Sequence, residues 1–159
     1  MKGNPKIIEL LNEALKAELT AINQYWLHYR MLDNWGVKKL AEMERHESID
    51  EMKHADRMAE RILFLDGLPN FQALGPLRIG ESVEEILKAD LDSEYEAVEM
   101  YRAAIKTCEE HKDFVSRTLF EEILKDEEGH VDMLETQFVM IGQMGLQNYI
   151  QLQSEPVEA

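Results

Sequence analysis

Two pairs of side chains in this chain have the chemistry and spacing of metal ligands. Glu51 and His54 lie three residues apart in HESIDEMKHAD, and Glu127 and His130 repeat that spacing 76 residues later in DEEGHVDMLE. Residues three apart on an α-helix lie on the same face, about one turn from each other. Of the five histidines, only these two follow a glutamate at that spacing. The pairs therefore predict that two helices each present a carboxylate and an imidazole to a common metal site.

The same repeat includes two more glutamates and two tyrosines. One offset of 76 residues relates all the equivalent positions: Glu18 with Glu94, Tyr25 with Tyr101, Glu51 with Glu127, and His54 with His130. Four matched helical positions at one offset indicate pseudo-twofold symmetry between the halves of the chain. We therefore expect four helices to direct four carboxylates and two imidazoles at one central point.

This predicted ligand set favours particular metals. Carboxylate oxygen is a hard donor and imidazole is borderline, so four glutamates and two histidines suit iron or manganese better than copper or a thiolate-bound zinc. Two divalent ions would balance the four carboxylate charges. Bridging carboxylates hold two metals about 4 Å apart, which allows two electrons to pass to one dioxygen or peroxide. The alternative is that both pairs lie in water on helix surfaces.

Composition limits the partners and the compartment. Lys+Arg 17 against Asp+Glu 32 gives a net charge of −15, which argues against nucleic acid because phosphate binding needs a basic face. The acidic surface serves either solubility or the concentration of cations. A single cysteine, Cys108, excludes an internal disulfide and fits a reducing compartment. With no signal-peptide apolar region and no apolar run of about 20 residues, we expect a cytoplasmic protein that does not enter the membrane.

The hydrophobic pattern predicts one all-α domain over residues 1–159. We expect four long helices and a short fifth helix, at about residues 5–33, 37–65, 82–110, 113–141 and 146–152. Gly142 and Gly145 are expected to end the fourth helix, and the final SEPVEA is expected to be a mobile polar tail. Residues 66–81, if extended, span about 53 Å, longer than a helix of about 42 Å. The second and third helices should therefore run parallel, joined by a long crossover.

Over essentially its whole length the sequence resembles the bacterioferritins, the haem-containing branch of the ferritin family. The segments that carry this resemblance are ELTAINQYWLH, HESIDEMKHADR, RILFLDGLPN, LKDEEGHVDMLE and MGLQNYIQ. It implies a ferritin-like four-helix bundle with ferroxidase activity, two irons per subunit, and a shell of 24 subunits, built from twofold dimers, that stores ferric mineral. It also implies the ligand roles: terminal for Glu18 and Glu94, bridging for Glu51 and Glu127, and one nitrogen per iron from His54 and His130.

The predicted role of Met52 depends on whether the resemblance is taken into account. It points about 100° away from Glu51 around the helix, outside the predicted bundle centre, where a methionine ordinarily serves packing. The resemblance implies that two copies of Met52 meet across a twofold interface and supply both axial ligands of one haem b per two subunits. That haem would return electrons, from a small ferredoxin partner, to the mineral so that iron is released.

Other polar residues give weaker signals. Tyr25 is either a redox-active phenol or a packing residue with a hydrogen bond. His46 and Asp50 are either a solvated pair or, by the resemblance, an accessory iron site on the cavity wall. No site role is predicted for His28, His111 or Cys108. Met58 and Met133 stand where some family members carry aromatic residues, which puts in doubt any aromatic electron route other than Tyr25.

The leading hypothesis is an iron-oxidising storage protein. The alternative is a ferritin-like di-iron oxidase or peroxidase without storage, although a single cysteine excludes the Cys-x-x-Cys iron domain usual in rubrerythrin-type peroxidases. A DNA-protecting mini-ferritin is disfavoured because its sites lie between subunits. A purely structural helix bundle would leave the carboxylates at Glu18, Glu94 and Glu127 unexplained.

Overall fold

A computed structural model describes residues 1–154 as five α-helices. They are α1 (Pro5–Trp35), α2 (Lys38–Phe64), α3 (Val83–Glu110), α4 (Phe114–Met144) and α5 (Leu146–Gln153). The expected all-α bundle of four long helices with a short fifth helix is confirmed. The predicted mobile tail falls, for residues 155–159, outside the described part of the chain. Among the described helices, none has the length and apolar composition needed to cross a membrane.

Local sequence signals account for most helix ends. Asn4 accepts a hydrogen bond from the Lys6 N–H before α1, and Ser82 accepts one from the Glu85 N–H at the start of α3. These contacts satisfy amide groups that have no partner within the helix. Gly36 ends α1 with φ 86, a left-handed conformation that glycine adopts without a steric penalty.

The end of α4 corrects one prediction. Gly142 does not end the helix, which continues to Met144 and stops at Gly145. A glycine inside a helix costs only about 1 kcal/mol relative to alanine, and Met144 packs against the apolar cluster at this end of the bundle. Gly145 has φ 83 and supplies the positive φ at which the chain turns into α5.

The core consists of two apolar clusters separated by a polar layer. One cluster, at the start of α1 and the end of α2, includes Leu11, Leu15 and Ile62. The other, at the opposite end of the bundle, includes Leu32 and Leu40. The helices pair as antiparallel hairpins, α1 with α2 and α3 with α4, and they direct their polar residues at the layer between the two clusters.

The crossover between α2 and α3 runs along α1. Side chains one turn apart on α1 accept hydrogen bonds from its backbone: Thr20 from Gly75 N–H (2.8 Å), Gln24 from Arg78 N–H (3.0 Å) and His28 from Gly80 N–H (3.0 Å). A Cβ atom at Gly80 would lie 2.3 Å from the Ile86 nitrogen, so only glycine fits where the crossover enters α3. The crossover thus follows α1 to its far end, and α3 runs parallel to α2 as predicted.

Candidate metal centre

The polar layer brings together all six side chains that the repeat predicted. All four long helices contribute to this layer from their inward faces, and none of the six residues is more than 8% exposed. They are Glu18 from α1, Glu51 and His54 from α2, Glu94 from α3, and Glu127 and His130 from α4. Carboxylates buried this deeply need a cation, a proton or a hydrogen bond as partner. The layer is therefore a candidate cation site built from four helices.

One candidate metal position surrounds His54. Its Nδ1 atom lies 3.0 Å from Glu127 Oε1, 3.6 Å from Glu18 Oε2 and 3.7 Å from Glu51 Oε1. One ligand atom from each of these four residues lies within 4.8 Å of the others. Three carboxylates around one imidazole nitrogen form a nitrogen- and oxygen-rich site for a divalent cation.

A second candidate position surrounds His130. Its Nδ1 atom lies 3.2 Å from Glu51 Oε1, 3.5 Å from Glu94 Oε1 and 3.8 Å from Glu127 Oε2. The ring centroids of the two histidines are 6.3 Å apart. Glu51 and Glu127 contact both imidazoles, whereas Glu18 lies beside His54 and Glu94 beside His130. The geometry is that of two adjoining positions with two carboxylates between them.

Each histidine also contacts an outer carboxylate through its other nitrogen. His54 Nε2 lies 3.0 Å from Asp126 Oδ2, and His130 Nε2 lies 2.8 Å from Glu47 Oε2. Such partners fix the ring and the tautomer so that Nδ1 presents a lone pair to a metal. Neither residue was predicted from the sequence as a partner of a histidine. Asp126 had a usable signal, because it follows Asp50 by the same 76 residues.

Unpartnered polar atoms test whether the centre fits a metal. In the described part of the chain, each of the six side chains has at least one buried polar atom without a hydrogen-bond partner, namely Glu18 Oε2, Glu51 Oε1, His54 Nδ1, Glu94 Oε2, both Glu127 oxygens and His130 Nδ1. Buried polar atoms are nearly always satisfied in native proteins. These atoms converge on one space with hard oxygen and imidazole donors, so the residues fit two divalent cations.

The electrostatics of the metal-free centre favour bound protons. Burial, together with the charges of Glu18 and Glu127, raises the pKa of Glu51 well above its usual value, and burial next to Glu18 does the same to the pKa of Glu127. Burial alone would lower the pKa of His130, but the adjacent carboxylates of Glu47 and Glu94 raise it to about 11. Protons thus occupy the cluster where cations would otherwise balance its negative charge.

Two tyrosines bind the carboxylates that lie at the two ends of the centre. Tyr25 of α1 donates a hydrogen bond to Glu94 of α3, and Tyr101 of α3 donates one to Glu18 of α1. Burial and the nearby carboxylates raise the pKa of both phenols well above their usual range. Both tyrosines are therefore neutral donors that orient Glu94 and Glu18.

A surface cavity leads to the centre. It has a volume of about 470 Å³ and lies between α1, α3 and the crossover, with Lys16, Thr20 and Arg78 among the residues at its wall. Its inner end is lined by Glu18, Glu51, Glu94 and Glu127. The cavity therefore lies between the surface of the chain and four carboxylates of the centre.

Met52 lies on the outer side of α2, away from the centre. Its side chain is 57% exposed and borders a shallow cavity of about 380 Å³ shared with α1, whose wall includes Ile22, Trp26, Leu27 and Ile49. Exposed tryptophan, leucine and methionine side chains together form an apolar patch of the kind found at ligand or subunit interfaces.

The other sequence-predicted pair remains apart from the centre. His46 is exposed on α2, and no group of three potential ligands among the described residues includes it. Asp50 lies 3.9 Å from His130 Nε2 and 3.8 Å from Lys53 Nζ. Asp50 is thus at the margin of the His130 position, and the accessory role of the His46 and Asp50 pair stays a prediction.

A third buried cluster was also missed. His28, Glu44 and Asp90 are fully buried together, although no site role was predicted for His28. Its Nε2 accepts the Gly80 N–H, so its Nδ1 carries a proton and donates to Asp90 at 2.9 Å. Burial and the negative charge of Asp90 raise the pKa of Glu44 well above its usual value. Both ring nitrogens of His28 are engaged, so it has no free lone pair for a metal, whereas Glu44 Oε2 and Asp90 Oδ2 are buried without a hydrogen-bond partner.

Comparison with known proteins assigns the chain to a family. The family model of the ferritin-like domain matches residues 8–144. Curated relatives named bacterioferritin include one from Brucella melitensis biotype 1 with 52% identity, covering 99% of this chain and 98% of the relative. Another, from Rhodobacter capsulatus, has 51% identity and covers 100% and 99%. A third, from Mycolicibacterium paratuberculosis, has 52% identity and covers 94% of each chain. The chain therefore belongs to the bacterioferritin family, and the resemblance found in its sequence is confirmed.

Proposed function

We propose that this protein stores and detoxifies iron by oxidising Fe(II) to Fe(III) at the central cluster. The observation that carries the proposal is the convergence of unpartnered oxygen and nitrogen atoms from six buried side chains. Two ferrous ions bring four positive charges, which balance the four glutamates and replace the protons that the cluster otherwise holds. Membership of the bacterioferritin family supports iron storage as the purpose of the reaction.

The proposed ligand roles follow the geometry. Glu51 and Glu127 bridge the two irons, because each contacts both imidazoles. Glu18 completes the position of His54, and Glu94 completes that of His130. Asp126 and Glu47 hold the imidazoles so that both Nδ1 atoms face the metals. Ferrous ions arrive through the cavity beside Lys16, and dioxygen or hydrogen peroxide accepts their electrons.

A closed shell of 24 subunits, built from twofold dimers, would hold the ferric product as mineral. Haem b would lie against the apolar cavity beside Met52, where two copies of the methionine across a twofold axis would bind one haem per two subunits. The haem would pass electrons from a small ferredoxin to the mineral for iron release. His46 and Asp50 would form an accessory iron site on the inner wall. The single buried cysteine fits a cytoplasmic location.

Particle size and iron content test this function together. The purified protein is expected to assemble into a large particle that takes up many ferric ions per subunit after repeated additions of Fe(II) in air. A small oligomer that oxidises Fe(II) but retains only the ions of the cluster would instead identify a di-iron oxidase or peroxidase without storage. Failure to accelerate Fe(II) oxidation over buffer would overturn both.

A further inference from the structure

The two buried tyrosines at the centre are equivalent in the repeat. Tyr25 of α1 bonds to the carboxylate of Glu94 on α3, and Tyr101 of α3 bonds to the carboxylate of Glu18 on α1. Neither phenol is more than 2% exposed. From the sequence, Tyr25 is a candidate redox-active phenol, and any aromatic electron route other than Tyr25 is in doubt. The structure gives Tyr101 the same burial and the same kind of partner, and in sequence Tyr101 follows Glu94 of its own helix by the interval at which Tyr25 follows Glu18.

Tyr149 and Tyr95 lack this combination of features. Tyr149 is equally buried, but its hydroxyl donates to the neutral amide of Gln137 at 2.8 Å. Tyr95 donates to a carboxylate, Glu135, yet it is 43% exposed. A phenol gives up an electron readily when its proton passes at the same time to a nearby base. A carboxylate in a dry site is such a base, and a side-chain amide is not.

We propose that Tyr101 acts with Tyr25 as an electron donor to dioxygen at this centre, a step that rests on the proposed ferroxidase function. Each phenol loses one electron, its O–H bond breaks, and its proton moves to the carboxylate that already accepts its hydrogen bond. Each tyrosine becomes a neutral radical. Tyr101 serves the side of the centre that holds Glu18, and Tyr25 serves the side that holds Glu94.

The electron balance gives the second phenol a purpose. Reduction of dioxygen to two water molecules takes four electrons and four protons. Two ferrous ions supply two electrons and by themselves stop at hydrogen peroxide, and Tyr25 raises the supply to three. Tyr101 supplies the fourth. The two phenolic protons and two protons from solvent complete the water molecules, and a further ferrous ion with one proton later restores each tyrosine.

The competing explanation is that Tyr101 only orients Glu18. Both explanations predict that Tyr101→Phe slows iron oxidation, so the rate cannot separate them. Two other measurements separate them: a radical on Tyr101, and the release of hydrogen peroxide when Tyr101 is replaced. A hydrogen bond that only orients Glu18 produces neither. Tyr149→Phe is the matched control, since it removes an equally buried hydroxyl that has no carboxylate partner.

The experiment mixes anaerobic protein, carrying two Fe(II) per subunit, with dioxygen. Samples frozen at successive times are measured by electron paramagnetic resonance, and released hydrogen peroxide is assayed in parallel. We expect two tyrosyl radicals per subunit in the unmodified protein and in Tyr149→Phe. In Tyr25→Phe and in Tyr101→Phe, two Fe(II) ions and one phenol supply only three electrons. We expect one radical in those subunits that gain the fourth electron from a further Fe(II) ion. The other subunits should release hydrogen peroxide and keep their remaining tyrosine unoxidised. The double variant should give no radical, and ring-deuterated tyrosine should narrow the signal.

Two results would overturn the proposal. One is the absence of a radical in Tyr25→Phe, because Tyr101 is unchanged in this variant and should still be oxidised. The other is an unchanged radical yield in a folded Tyr101→Phe protein. Iron oxidation recorded in the same samples separates the two proposals. Rapid oxidation without the Tyr101 radical refutes this step alone, whereas absence of rapid oxidation refutes the ferroxidase function and this step with it.

Discussion

Glu47 Oε2 lies 2.8 Å from the Nε2 atom of His130, and this contact has no counterpart in the other half of the repeat. The residue 76 positions after Glu47 is Ile123, and the outer partner of His54 is Asp126 instead. Glu47 also belongs to the group of potential ligands around His130. The two candidate metal positions are therefore alike in their inner carboxylates and different in the nearest carboxylate behind each imidazole.

Glu47→Gln is expected to weaken metal binding at the His130 position. Glutamine keeps the size of the side chain but removes the charge that holds the imidazole, and loss of such a partner costs about 10–100-fold in metal affinity or activity. Titration with Co(II), followed by visible absorbance, should show one tight and one weakened position. Glu60→Gln, an exposed change on the same helix, is the control. Two unchanged binding steps in Glu47→Gln would contradict this role.

Substitutions at the centre should reduce oxidation without preventing assembly. Glu18→Ala or Glu127→Ala removes one of the carboxylates around His54, so we expect initial Fe(II) oxidation to slow by about tenfold or more, measured by stopped-flow absorbance. Particle size should remain that of the unmodified protein, because these side chains lie inside one subunit. Unchanged initial rates would rule out the assigned centre.

Glu127→Gln is expected to stabilise the metal-free protein. Burial among other acids raises the pKa of this carboxyl group, so folding at neutral pH must keep it protonated, and a neutral side chain of the same shape removes that free-energy cost. The melting temperature should rise by about 2–4 °C for each kcal/mol gained. Added Co(II) should raise the melting temperature of the unmodified protein more than that of the variant. A lower melting temperature of the metal-free variant would show that the charged form is favoured.

The stability of the metal-free protein should fall as pH rises. The folded-state pKa of His130 is about 11, above the value of 6.5 for a free histidine. Its contribution is therefore fully present below pH 6.5 and is lost as pH rises through about 11. The raised pKa values of Glu51 and Glu127 also lower the stability of the metal-free protein as pH rises above 4.5, the usual pKa of a glutamate. Because metals displace these protons, Co(II) should stabilise the protein more at higher pH.

Calorimetry across this pH range, with and without Co(II), measures both trends. The melting temperature of the metal-free protein should decline between about pH 6.5 and pH 9, and the increment from Co(II) should grow over the same interval. The double substitution Glu51→Gln and Glu127→Gln should flatten both curves. A melting temperature that rises with pH in the metal-free protein would refute the assigned protonation.

Met52→Leu is expected to abolish haem binding and leave Fe(II) oxidation intact. Leucine keeps the apolar volume but removes the sulfur that would bind the haem iron. After expression with added haem precursor, the Soret absorbance of the purified variant should be near zero. Met43→Leu, on the same helix but against an apolar core cluster, is the control and should keep the band. A Soret band of normal height in Met52→Leu would exclude the axial role.

The sequence was sufficient to predict the helices of the bundle, their order and direction, and the six inner residues of the centre. Helical spacing identifies which residues share a face, and the 76-residue repeat selected the six that converge, such as Glu18 with Glu94. The parallel course of α2 and α3 followed from the length of the crossover alone. These features depend on local periodicity and on distance along the chain, which a sequence displays directly.

Contacts that depend on packing between helices were not predictable in the same way. Glu47 reaches His130 from a different helix, outside the repeat, and no spacing rule links them. His28 carried no signal because its partners, Asp90 and the Gly80 N–H, come from another helix and from the crossover. The end of α4 at Gly145 rather than Gly142 depended on packing by Met144. In each case tertiary contacts, and not local preference, determined the outcome.

The crossover joins two hairpins that each hold only part of the ligands for either candidate metal position. His54 of α2 meets Glu127 of α4, and His130 of α4 meets Glu51 of α2, so neither hairpin carries a complete set of ligands around either imidazole. Two separate hairpins would have to find each other in solution before any ion could be coordinated. Because the crossover joins the two hairpins covalently, their encounter is intramolecular. Each hairpin meets the other at a high effective concentration that does not depend on the concentration of the protein. Dilution of the protein therefore leaves both half-sites together within every subunit.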